Sequence, residues 1–173
     1  MGHPSKIIDA LDRGHPEATV GTRWELISDR VMGGVSVGSM TRESVSGRPA
    51  LRMRGDVSLA NDGGFIQVAL DLTPSGDPVD ASVWKGIEID VFGAKERYNL
   101  HLRTSDVVRP WQSYRASFVA SPSWRTVQMP FEEFEPHRLA APFDRSHLRR
   151  LGIVAIGRAF VADIAIGGLR FFR

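Results

Sequence analysis

The sequence predicts an all-β protein: one antiparallel β-sandwich of jelly-roll type. Three observations predict it. Most apolar stretches alternate with period two, turn signals recur at short and even intervals, and helical patterns are scarce. A length of 173 residues suits one compact domain rather than two.

Taken in chain order, "SKIIDALDR" reads as a short amphipathic helix capped by Ser5, which makes residues 1–20 an N-terminal extension and residues 21–173 the sandwich. "LRMRGDVSL" sets Leu51 and Met53 against Arg52 and Arg54, and "FIQVALDL" keeps Ile66, Val68, Leu70 and Leu72 in register. "GIEIDVFG" places Ile87, Ile89 and Val91 on one face and Glu88 and Asp90 on the other. "YNLHLRT" and "YRASFVA" repeat the pattern, with Tyr98, Leu100, Leu102, Tyr114, Ala116 and Phe118 as the apolar set. Such alternation follows from a sheet with one buried face, because successive side chains point to opposite sides. "PFEEFEP" fits one helical turn near residues 131–135, with Phe131 and Phe134 inward and Glu132 and Glu133 solvated. "LGIVAIG" is apolar on both faces, and "FVADIAIGGLRFF" supplies one or two last strands. The breaks between these runs are "SGRP", "NDGG", "PSGDP", "GAKE" and "SPS".

Composition narrows function by exclusion. The net charge of +2 is small and the arginines are scattered, so no basic stripe suited to nucleic acid emerges. The absence of cysteine removes disulfides, thiolate metal sites and Cys nucleophiles, and suits the cytoplasm. No apolar run reaches the length of a membrane span, which argues against direct membrane insertion. The histidines His3, His15, His101, His137 and His147 lack metal-ligand spacing, and neither a nucleophile elbow nor a phosphate-cradling loop occurs. The carboxylate pairs Glu132–Glu133 and Asp77–Asp80 have no separation that sequence can set. The expectation is therefore a non-enzymatic protein with no cofactor.

Three segments stand out as candidate binding or structural sites. In "SDRVMGG", Gly33 and Gly34 supply backbone angles that other residues resist, Asp29 caps the turn, and Val31 and Met32 tuck beneath it. The competing reading places Asp29 and Arg30 on a surface that meets a ligand or partner. In "NDGGF", Gly63 and Gly64 make a bend that drops Phe65 into the core. Asp56, Asn61 and Asp62 nearby fall short of the six to eight oxygens that Ca²⁺ prefers, so no metal site is assigned. The third segment is a polar row. Asn99, His101 and Arg103 lie opposite the apolar face of their strand, Arg115 and Ser117 stand across from them if the two strands form a hairpin, and Trp111 sits at the rim. Polar groups beside an aromatic suit a sugar; Arg and Trp equally anchor protein interfaces.

The ordered segments "WELISDRVMGGVSVGSM", "GDVSLANDGGFIQV", "GIEIDVFG", "YNLHLRT", "SYRASF", "SWRTVQMPFEEFEP" and "LGIVAIG" resemble the complex I intermediate-associated protein family. The combination of D-x-V-M-G-G-x-S with N-x-G-G-F carries the likeness, which runs from about Trp24 to Phe172. The resemblance implies a galactose-binding-like jelly roll and a non-enzymatic role in assembling respiratory complex I, with its subunits as protein partners. Two functions follow as expectations: a module that engages a protein partner, or a carbohydrate-binding module that uses His101, Arg103 and Trp111.

Overall fold

The computed structural model describes residues 6–173, and these residues form twelve strands. They are β1 (Ile7–Asp9), β2 (Glu25–Ser28), β3 (Val37–Val45), β4 (Arg48–Val57), β5 (Phe65–Asp71), β6 (Gly86–Gly93), β7 (Arg97–Thr104), β8 (Ser113–Val119), β9 (Arg125–Pro130), β10 (Glu135–His137), β11 (Leu148–Ile156) and β12 (Phe160–Phe172). One sheet runs β3-β4-β12-β6-β9, with β1 also paired to β12; the other runs β10-β8-β7-β11-β5-β2. Neighbours in both sheets are antiparallel.

The inner faces are those the alternation marks. Leu51, Met53, Ile87, Ile89, Val91, Ile164 and Ile166 of the first sheet join Ile66, Val68, Leu70, Leu100, Leu102, Leu151 and Ile153 of the second in one buried cluster. Each such side chain contributes about 1.5–3 kcal/mol through removal from water. The C-terminal segment is a single strand. It pairs with β4 over Phe160–Ile166 and with β6 over Ile164–Phe172, and a register shift against β6 between Ile166 and Gly168 marks a bulge.

The expected N-terminal helix is absent: Ile7–Asp9 form strand β1, while the proposed cap Ser5 lies outside the described residues. Two tertiary demands override the weak helical pattern. Strand β12 offers open hydrogen bonds, and Phe171 N–H donates to the Lys6 carbonyl at 2.8 Å. Asp9 turns fully inward, where its carboxylate accepts from Trp24 Nε1 at 2.8 Å and from Leu11 N at 2.9 Å. On a short isolated helix neither bond forms, and so short a helix is marginal in water. Ile8, Leu11 and Ala18 belong to the main core cluster. The expected helical turn is present as a 3₁₀ turn at Phe131–Glu133, with Phe131 and Phe134 buried.

Outward side chains of the first sheet form a neutralised lattice. Arg52 grips Asp163 with two bonds of 2.8 Å and reaches Glu43 at 3.0 Å. Asp90, only 7% exposed, accepts from Arg170, Arg48 and Thr126. Burial pushes the Asp90 carboxyl up, but the hydrogen bonds from Arg170, Thr126 and Arg48 outweigh it and hold the group down at about 2. Positive charge on this face is met by negative charge at each of these points.

Candidate functional site

The two glycine-rich segments are parts of one buried knot centred on Asp29. Residues Asp29–Met32 form a 3₁₀ turn that ends at Gly33, whose φ of 88° is left-handed. The turn directs Asp29 inward, where its side chain is fully buried. Its carboxylate accepts from Ser36 N at 2.9 Å, Ser36 Oγ at 2.5 Å, Gly64 N at 2.6 Å and Phe65 N at 3.4 Å. Ser36 Oγ in turn accepts from Ser58 N at 2.8 Å, and Asn61 Nδ2 donates to the Gly33 carbonyl at 3.3 Å. Gly34 and Gly63 are glycine because the carboxylate lies where a side chain would begin: a Cβ on Gly63 would stand 2.5 Å from Asp29 Oδ2. Burial raises the Asp29 pKa, yet the bonds from Ser36, Gly64 and Phe65 more than offset this and leave it below the ordinary carboxylate value.

Asp29 is therefore withdrawn from the surface role considered for it, since no face of its carboxylate meets solvent. Arg30 is exposed, and its guanidinium closes the same loop through Nε to the Ser36 carbonyl at 3.0 Å. Val31 and Met32 do not tuck beneath the bend; they are 76% and 59% exposed, because the turn spends its inward position on Asp29. Phe65 likewise leaves the core. It starts β5 on the outward phase, so Ile66 is the buried residue and Phe65 faces a groove.

That groove, about 850 Å³ in volume, lies on the outer face of the second sheet. Its floor crosses five strands: Gln67 from β5, Gly152 and Val154 from β11, His101 and Arg103 from β7, Arg115 from β8 and His137 from β10. One end is walled by Val31, Met32 and Leu59, which the Asp29 knot holds up, and the other by Val108, Pro110 and Trp111. Hairpin β7–β8 sets Arg115 opposite His101 and Ser117 opposite Asn99. Asn99 lies on the same face beside the groove, its amide nitrogen 3.5 Å from His101 Nε2. A smaller hollow of about 250 Å³ shares Arg103 and Arg150 and adds Asp71 and Arg149.

The floor is electropositive. Arg103 donates to the carbonyls of Arg109, Pro110 and Gln112 at 3.3–3.4 Å, so it also anchors the loop that bears Trp111. Arg115 donates from Nε to Ser113 Oγ at 2.9 Å. Among the described residues neither has a carboxylate within ion-pair distance, whereas Arg150 pairs with Asp71 at 2.7 Å. Burial, with Arg150 and Arg149 adding repulsion, lowers the Arg103 pKa; burial and Arg138 lower that of Arg115. Both remain charged near neutrality. Burial, then Arg115 and His137, push His101 down to about 3, which makes it a neutral imidazole at physiological pH.

Sequence reasoning brought His101, Arg103, Arg115 and Trp111 to one groove but missed Val31, Met32, Leu59, Gln67, His137 and Arg150. One signal pointed there. "LGIVAIG" is apolar on both faces because Val154 and Ile156 lie under the groove while Ile153 and Ala155 face the core. Among the described residues no group of three or more His, Asp or Glu side chains stands in metal-ligand geometry. No helix among them is long and apolar enough to cross a membrane.

Comparison with known proteins identifies the fold and the family. The family 11 carbohydrate-binding module of the cellulosomal cellulase Lic26A-Cel5E of Clostridium thermocellum superposes with a TM-score of 0.73 at 14% identity, covering 99% of this chain and 96% of that one. A family 11 module from Clostridium thermocellum in complex with a β-1,3-1,4-mixed-linked tetrasaccharide gives 0.72 at 14% identity, covering 99% and 97%. A family 30 carbohydrate-binding module gives 0.57 at 15% identity, covering 80% and 92%. At such identities the likeness establishes the galactose-binding-like jelly roll alone. No curated protein matches the chain in sequence. The model of the Complex I intermediate-associated protein 30 (CIA30) family, however, matches residues 15–163, and the protein belongs to that family.

Proposed function

We propose that the protein is a non-enzymatic binding module of assembly-factor type, whose outer-sheet groove seats a segment of a protein partner. Membership of a family named for association with complex I intermediates supports respiratory complex subunits as that partner. The observation that carries the reading is the groove wall. Val31, Met32, Leu59 and Val108 are 76%, 59%, 51% and 75% exposed and converge with Trp111 on one hollow. Exposed apolar side chains grouped in one patch mark a surface that meets a partner. Sugar recognition instead uses aromatic platforms, and here both tyrosines are buried in the core, leaving Trp111 and Phe65 as the groove's aromatics. The cysteine-free composition fits action in the cytoplasm.

A carbohydrate ligand is the second reading, and the observation that favours it is Trp111, 55% exposed on the groove loop that Arg103 anchors. Site-specific photo-crosslinking separates the two. A photoreactive residue at Met32 or Val108 is expected to trap a complex I subunit or assembly intermediate in cells, while one at Thr41 on the opposite sheet is not. Equal trapping from both faces, or trapping from neither together with saturable binding of a mixed-linkage β-glucan tetrasaccharide, would refute the protein-partner reading.

A further inference from the structure

We infer that the partner segment seated in the groove is acidic at its centre and apolar at its ends. This rests on the protein-partner reading above and specifies the chemistry of that partner. The outer faces of the two sheets differ in charge balance. On the first sheet Arg48, Arg52, Arg54 and Arg170 each reach a carboxylate within 3.4 Å. On the groove floor, Arg103 and Arg115 are partly buried and meet only carbonyls and a hydroxyl.

The one acidic side chain that lines the groove, Asp62, is exposed and sits at the end of the Val31–Leu59 wall, away from the loop that Arg103 holds. Arg103 is also the cross-strand partner of Arg150, whose charge Asp71 meets at 2.7 Å, so among the described residues Arg103 and Arg115 are the floor's arginines with no carboxylate of their own. A neutral segment laid over this floor removes water from two guanidiniums and returns no compensating charge. A carboxylate returns it, and the planar fork of Arg115, with both terminal nitrogens facing no carboxylate, can hold it through two parallel bonds. The aliphatic walls stand at the two ends, which sets apolar residues on either side of the acidic ones.

The probe is a fluorescein-labelled peptide, acetyl-Leu-Leu-Glu-Asp-Glu-Phe-Leu-amide, read by anisotropy against the full chain, beside its Gln-Asn-Gln counterpart and a mixed-linkage β-glucan tetrasaccharide. The acidic peptide is expected to bind about tenfold or more tighter than the amide peptide, with affinity that falls as salt is added. Arg115→Gln is expected to remove most of that preference and to leave the melting temperature unchanged; Arg115→Lys restores it in part. Equal binding of the two peptides overturns the acidic assignment and leaves the protein-partner reading intact. Binding of the tetrasaccharide with neither peptide bound overturns both, and an acidic preference untouched by Arg115→Gln overturns the role given to the floor.

Discussion

Replacing Asp29 by Asn keeps the side chain's size and changes one oxygen into a donor. In the native knot that carboxylate accepts from two Ser36 groups, from Gly64 N and from Phe65 N. An amide can accept on one oxygen only, so whichever way it turns, its NH₂ confronts either the Ser36 or the Gly64 donor. At least one buried donor then loses its partner, at about 1–3 kcal/mol, and the remaining bonds lose their charge assistance. The expected total is about 3 kcal/mol. For a domain of this length that lowers the melting temperature by roughly 6–12 °C. Urea unfolding followed by tryptophan fluorescence measures the free energy directly. Because the knot also holds Val31, Met32 and Leu59 in the groove wall, partner affinity falls along with stability. A loss below about 1 kcal/mol would mean that the carboxylate is dispensable and that the two glycine motifs do not share one structural centre.

Two further outcomes follow from the same structure. Gly33→Val places a branched side chain at a φ of 88° with nothing within 4 Å of its Cβ, so the cost is conformational, about 1 kcal/mol or more, and shows in a thermal melt. Asp90, held at about 2 in the folded protein against an ordinary value of 3.8, contributes stability that is present above the ordinary value and lost as pH falls toward 2. That contribution is on the order of 2 kcal/mol. Urea midpoints taken from pH 5 down to pH 2 are expected to fall less steeply in Asp90→Asn; identical acid limbs would contradict the role given to the Arg48–Asp90–Arg170 cluster.

The parts of the fold that were legible in sequence are those in which a single buried face imposes period two. Strand β7 satisfies this condition along its length, and β5 and β6 nearly so: Ile66, Val68, Ile87, Ile89, Leu100 and Leu102 are buried on one side, with Ala69 and Asp90 buried on the other. Strand β1 is three residues long and owes its form to Asp9 and to the free edge of β12, neither of which a local window contains. The outward phase of Phe65 is not legible in sequence, because a glycine pair marks a bend without fixing which way the next side chain points. In the site, His101, Arg103, Arg115 and Trp111 were legible because one hairpin brings them together. His137 and Arg150 arrive on β10 and β11 through pairings that sequence does not display, and Met32 and Leu59 are raised by a knot whose centre, Asp29, had competed for a surface role.

Partner binding is assigned to the groove on the β10-β8-β7-β11-β5-β2 sheet. Amide chemical-shift mapping of the isotopically labelled protein, titrated with the acidic peptide, tests it most directly. Perturbations confined to Met32, Gly64–Gln67, His101–Arg103, Val108–Arg115 and Gly152 are the expected result. Shifts centred instead on Thr41, Arg52 and Asp163, across the opposite sheet, would contradict it.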